Sequence, residues 1–232
     1  MTKIAPPVHR SSTRYSTAQA VGLALAIVVA LGLPTSQVSA QSVIQKSQPY
    51  TQSASQGVND DRKWAVTLFY GFASVDSDMY MAPKAWWDTK FREEAFAGGA
   101  VSYNVIRFLR DFTLEAEIGA GRRFGIGASE GWAAAYIRYD NFPWKHILRT
   151  TFAASVGVDY ITKLPLSEDN ADPTRARSKF LHYFSPEVTF ALPDSPQHEM
   201  VFRLHHRSGV FGLFNGVRGG ADAFTVGYRY RF

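Results

Sequence analysis

The stretch Asp222-Ala223-Phe224-Thr225-Val226-Gly227-Tyr228-Arg229-Tyr230-Arg231-Phe232 alternates from Phe224 to its end. Its even positions hold Phe224, Val226, Tyr228, Tyr230 and Phe232, and its odd ones hold Thr225, Gly227, Arg229 and Arg231. Successive side chains of a strand leave opposite faces, so the spacing predicts one apolar, aromatic-rich face and one polar face. Lipid outside and a wet lumen inside would suit such a strand.

Working outward from this segment, the same alternation recurs. From Lys63 onward Trp64, Val66, Leu68, Tyr70 and Phe72 share one face. A second strand is expected at 96–108, a third from Phe112 to Ala120, and a fourth at 131–140, where an alanine run leaves the register open. In the fifth, Phe152, Ala154, Val156, Val158 and Tyr160 oppose Ser155 and Asp159. Val188, Phe190 and Leu192 mark the sixth, at 180–192, and Met200, Phe202 and Leu204 the seventh. The reading is all-β: an eight-stranded antiparallel transmembrane β-barrel of the outer membrane, closed so that no strand edge meets hydrocarbon. Glu115, Glu117, Asp159, Glu187, Arg203, Arg229 and Arg231 all have inward parity, which predicts ion pairs in a filled lumen and disfavours an open channel.

Composition agrees. The chain has 232 residues with 17 Phe, 11 Tyr and 5 Trp, and aromatic girdles are a feature of such barrels. Outside the N-terminus no apolar run approaches the ~20 residues of a membrane-spanning helix. Cysteine is absent, which removes disulfides, thiolate metal sites and cysteine nucleophiles. The net charge of +5 does not call for nucleic acid; in an exported protein it points instead to phosphorylated lipopolysaccharide. Lys3, His9, Arg10 and Arg14 precede the apolar stretch from Ala18 to Leu33, and Val38-Ser39-Ala40 fits a cleavage site. Residues 1–40 therefore read as a signal peptide, 41–61 as a flexible periplasmic lead-in and 62–232 as the barrel. Gly119, Gly121 and Gly125 resemble half a phosphate-binding loop, but without a following helix they fit strand packing and a turn better.

The gaps between strands alternate long and short, beginning long after the first strand. Long loops belong outside, so the seventh strand runs upward and ends at the outer leaflet. There His206 and Ser208 continue the lipid-facing series of Phe202 and Leu204, and Asp222 has the same parity at the top of the eighth strand. Histidine can take a serine proton, and a carboxylate can hold the imidazole in the useful tautomer. A His and a Ser at this level could equally sit hydrogen-bonded to water or sugar in the headgroup zone. His205 points inward, so His205-His206 is a poor metal pair, and no metal or cofactor is expected.

The segment Phe202-Arg203-Leu204-His205-His206-Arg207-Ser208-Gly209, the loop through Asn215 and the closing strand resemble the lipid A 3-O-deacylase (PagL) family. Leu114 to Phe124 is also similar to that family's third strand. The resemblance implies a serine esterase whose triad lies on the membrane-facing wall. It would cleave the 3-position acyl ester of lipid A in lipopolysaccharide and release a 3-hydroxy fatty acid. Carried over, Ser208 is the nucleophile and His206 the general base. The family uses Glu as the acid, and no Glu follows Glu199, so Asp222 is the substitute. Gly209 stands where the family commonly has Asn; the Gly209 amide and Asn215 are the oxyanion candidates. The competing reading is a non-catalytic barrel with a structural or surface-binding role, and pairing of two barrels into a homodimer stays open.

Overall fold

The computed structural model describes residues 62–75, 90–169 and 174–232. The expected signal peptide, the lead-in and much of the first long loop lie outside the described residues. The strands are β1 (Trp64–Ser74), β2 (Phe91–Phe108), β3 (Phe112–Arg123), β4 (Ala128–Tyr139), β5 (Arg149–Ile161), β6 (Phe180–Phe184), β7 (Glu187–Ala191), β8 (His198–Ser208) and β9 (Gly220–Arg231). A single helical turn, α1 (Leu166–Asp169), follows β5. No helix among the described residues is long and apolar enough to cross a membrane.

All pairings are antiparallel, and β1 pairs with β9, placing Val66 opposite Tyr230 and Leu68 opposite Tyr228. The sheet thereby closes on itself. β6 and β7 are two halves of one strand. Tyr183 lies opposite Gly157 and Glu187 opposite Ala153, so the register against β5 continues through the gap. Pro186 has no N–H to give, which interrupts the ladder, while its carbonyl still accepts from Leu204 N at 3.1 Å. The ring has eight strands.

Strand faces follow the sequence parity. Leu68, Ile118 and Val156 on the outer wall are 57%, 66% and 62% exposed, whereas Thr67, Glu117 and Ser155 beside them are buried. In β4 the open register resolves with Trp132, Tyr136 and Arg138 inward. β2 begins at Phe91, earlier than expected, because Arg92, Glu93 and Glu94 interrupt the apolar alternation there, and the glycines that weakened the pattern of β2 and β3 are where aromatic rings pack. A Cβ on Gly98 would stand 2.8 Å from the Phe69 ring, and one on Gly119 2.1 Å from Trp132. Gly121 likewise makes room for Phe96.

One expectation fails. The connection after β3 is a tight turn at 124–127, with Gly125 and Gly127 at φ 93° and 66°, while the lower connection at 140–148 is the longer one. The strict long-short alternation does not hold, since β3 and β4 reach further up than their apolar alternation shows. Their upper ends are polar and pair through Arg123 and Glu130, which face inward.

The lumen is filled in layers. At the lower end Glu187 contacts Arg138, Arg203 and Arg229, and Arg231 joins Glu115 to Glu199. Phe69, Phe96, Trp132, Tyr136 and Tyr183 form the aromatic layer above. A second polar cluster closes the upper end. The inward charges expected from sequence are all buried, and Glu94, Arg123, Glu130, Arg138, Glu199 and Arg207 join them.

Candidate active site on the outer wall

Near its upper end β8 presents Leu204, His206 and Ser208 to the outside. His206 lies opposite Asp222 of β9 and Phe184 of β6, and Ser208 lies between Gly220 and His182. The pairing register thus brings His206 and Asp222 into contact, and His206 Nδ1 hydrogen-bonds Asp222 Oδ1. With Nδ1 so engaged, the other ring nitrogen is left for the serine side. His206 and Asp222 are 6% and 4% exposed, whereas Leu68 and Ile118 elsewhere on the outer wall are 57% and 66% exposed. A carboxylate in that position fixes the tautomer and supports an imidazolium.

Ser208 is half-buried two residues along the same strand face, ~7 Å in backbone terms. Its hydroxyl makes no hydrogen bond to the His206 ring in this structure. Catalytic hydrogen bonds are often long without substrate and tighten only in the reacting complex.

The chain beyond Ser208 turns sharply. Gly209 N donates to Gly219 O at 3.0 Å, and a Cβ on Gly209 would stand 2.0 Å from Val217 O, so no other residue fits where the resembled family has Asn. Val210 and Phe211 follow in the left-handed region, at φ 47° and 56°, which is unfavourable for bulky or β-branched side chains. Such conformations persist only where surrounding structure enforces them. Asn215 is not brought to the serine. Its Nδ2 donates to Ser178 Oγ and to Phe180 O, both at 2.9 Å, which braces the two upper loops together. The Gly209 amide is committed to Gly219 as well.

His182 was not expected from sequence. It faces outward on β6 directly across from Ser208, packs against Phe214 at 5.6 Å between ring centroids, and its buried Nδ1 has no hydrogen-bond partner among the described residues. The signal was present: Phe180, His182 and Phe184 have the same outward parity, and a histidine interrupts it just as His206 does. Below Asp222 on the outer wall, Phe224 packs with Phe72 and Phe91 into an aromatic patch.

No protein-family model matches the chain, and no curated protein matches it. Among solved structures, the outer membrane enzyme PagL aligns with a TM-score of 0.51 at 12% identity, covering 72% of this chain and 99% of that one. Neisserial surface protein A aligns at 0.45 and 11% identity, covering 73% and 97%. Ail, the attachment invasion locus protein of Yersinia pestis, aligns at 0.36 and 10% identity, covering 74% and 99%. At these identities the likeness is one of architecture, and the architecture is that of a bacterial outer-membrane β-barrel.

Proposed function

We propose that this barrel is an outer-membrane serine esterase acting on lipid A, removing the acyl chain esterified at the 3 position. The observation that carries the reading is the His206–Asp222 hydrogen bond on the outward face of β8 and β9, with Ser208 on the same face. Polar groups in that place have no structural partner in the lumen, and a His held by a carboxylate is what a serine nucleophile requires. In the reaction Ser208 Oγ attacks the ester carbonyl while His206 takes its proton. His206 then returns that proton to the departing 3-hydroxyl of the sugar, and water releases the fatty acid from the acyl-serine in a second round. The Val210 amide, two residues past the serine and without a backbone acceptor among the described residues, is the oxyanion donor in this proposal. The patch of Phe72, Phe91 and Phe224 is an apolar bed for the acyl chain, and Arg175 and Arg218, which line one hollow, suit a phosphate.

Detergent-solubilised protein incubated with purified lipid A should release 3-hydroxy fatty acid, read by mass spectrometry. Equal release from Ser208→Ala would overturn the mechanism. Two observations favour the non-catalytic reading: Ser208 makes no hydrogen bond to His206, and the Gly209 amide and Asn215 are engaged elsewhere. That reading requires that no ester be cleaved by the wild-type chain.

A further inference from the structure

The two polar clusters of the lumen differ in charge. In the lower one Glu115, Glu117, Glu187 and Glu199 meet Arg138, Arg203, Arg229 and Arg231, four against four. In the upper one Glu94, Glu130, Asp159 and Glu168 meet only Arg123 and Arg207 among the described residues. At pH 8, with every carboxylate including Glu168 ionised and His205 neutral, the upper cluster lacks two positive charges. An uncompensated buried charge is among the most costly features a fold can carry.

His205 shows where the missing charge belongs. A chain of hydroxyls leads from it to the lower cluster: Tyr136 donates to Glu117 Oε1 at 3.4 Å, Tyr183 lies 3.3 Å from the Tyr136 hydroxyl, and His205 Nδ1 lies 3.2 Å from Tyr183. Donation along this chain toward Glu117 places the proton of a neutral imidazole on Nδ1. The Nε2 lone pair then faces Glu130 Oε1 at 2.6 Å, two acceptors that need a cation beside them. Asp159 supplies an independent sign. It is 1% exposed, its Oδ1 meets Arg207 Nε at 2.7 Å, and its Oδ2 receives no hydrogen bond among the described residues. Ligand atoms of Glu130, Asp159 and His205 lie within 4.8 Å of one another, so small side-chain rotations would bring all three onto one ion at ~2.0–2.2 Å.

We propose that Glu130, Asp159 and His205 hold a divalent transition-metal cation inside the upper lumen. One imidazole nitrogen with two carboxylate oxygens favours zinc or manganese over calcium or magnesium. The Nδ1–H on Tyr183 is the outer hydrogen bond that orients a ligating histidine, and Arg123 and Arg207 brace the two carboxylates. The ion ties β4, β5 and β8 together just below the outer loops. His205 and His206 leave opposite faces of β8, so the cation lies behind the wall that carries Ser208 and takes no part in ester chemistry.

Tag-free protein folded in detergent, stripped with EDTA and dialysed at pH 8, would be titrated with zinc chloride and with manganese chloride by calorimetry. Bound metal would be counted by mass spectrometry. One ion per chain is expected from at least one of the two, with affinity falling at least tenfold in both Asp159→Asn and His205→Gln and unchanged in His206→Gln. Heat-modified gel mobility reports folding of each variant. Absence of stoichiometric binding in the wild type, or unchanged affinity in either folded lumen variant, overturns the site. X-ray absorption of the metal-loaded wild type decides the case without variants: one imidazole among oxygen ligands supports it, and two or more imidazoles place the metal at surface histidines instead.

Discussion

Ser208 can be replaced with little risk to the barrel, because its side chain is half-buried on the outer wall and contributes no bond to the ring beside it. On the proposed function, Ser208→Ala should lower fatty-acid release by at least ~10³-fold while leaving heat-modified mobility unchanged, since removing the nucleophile of a triad typically costs that much or more. Asp222→Asn should cost on the order of 10³–10⁴-fold by presenting the wrong partner to His206 Nδ1, with little change in lipid binding. The shared outward face of His206, Ser208 and Asp222 was legible in the sequence because facing is a local property: count by twos from Phe202 or Phe224 and the polar interruptions stand out. His182 carried the same sign inside a segment read as continuous strand, where aromatic neighbours drew attention away. The engagement of Asn215 was not legible, since its partners Ser178 and Phe180 lie across a loop with no period.

Strands obey a stricter logic than single residues, and β3 illustrates it. Gly119 supports the ring of Trp132, so Gly119→Val should destabilise the barrel by about 1–3 kcal/mol through overpacking, read as a lower urea midpoint by tryptophan fluorescence. Alternation located every strand, but not the upper ends of β2, β3 and β4, where glycine and charge replace the apolar signal. The turn α1 is a different kind of element, held by Glu168 against Arg207. Burial pushes the Glu168 carboxyl up from 4.5 to about 7, with Arg207 and Arg123 pulling the other way. Between those values the docked segment holds a proton that the released one has lost. Docking is therefore strongest below pH 4.5 and weakens as pH rises toward about 7, remaining weaker above it. Hydrogen exchange at 162–169, corrected for intrinsic rates, should show less protection at pH 8 than at pH 5.5, and Glu168→Gln should remove the difference.

At the scale of the whole molecule, the layered lumen sets stability. Glu187 holds three guanidinium groups, so Glu187→Ala should cost about 3–5 kcal/mol in urea unfolding, because it leaves buried cations without a partner. Removing Asp140 from the exposed pair with Arg107 should cost under ~1 kcal/mol by the same measurement. The barrel and its closed interior were readable in outline from parity alone. The unequal charge of its two ends was not, because Glu94, Arg123, Glu130 and Glu168 lie in or beyond strand ends that the alternation did not reach. The outward-facing site has a further kinetic meaning. On the proposed function, a group opening onto the outer wall meets its substrate by drift within a film two molecules thick, so the effective concentration is a mole fraction in the surrounding amphiphile, not an amount per volume. Adding detergent at fixed protein and lipid should slow ester release in proportion to dilution of the film. Adding buffer at a constant ratio of the three should leave each molecule's turnover unchanged.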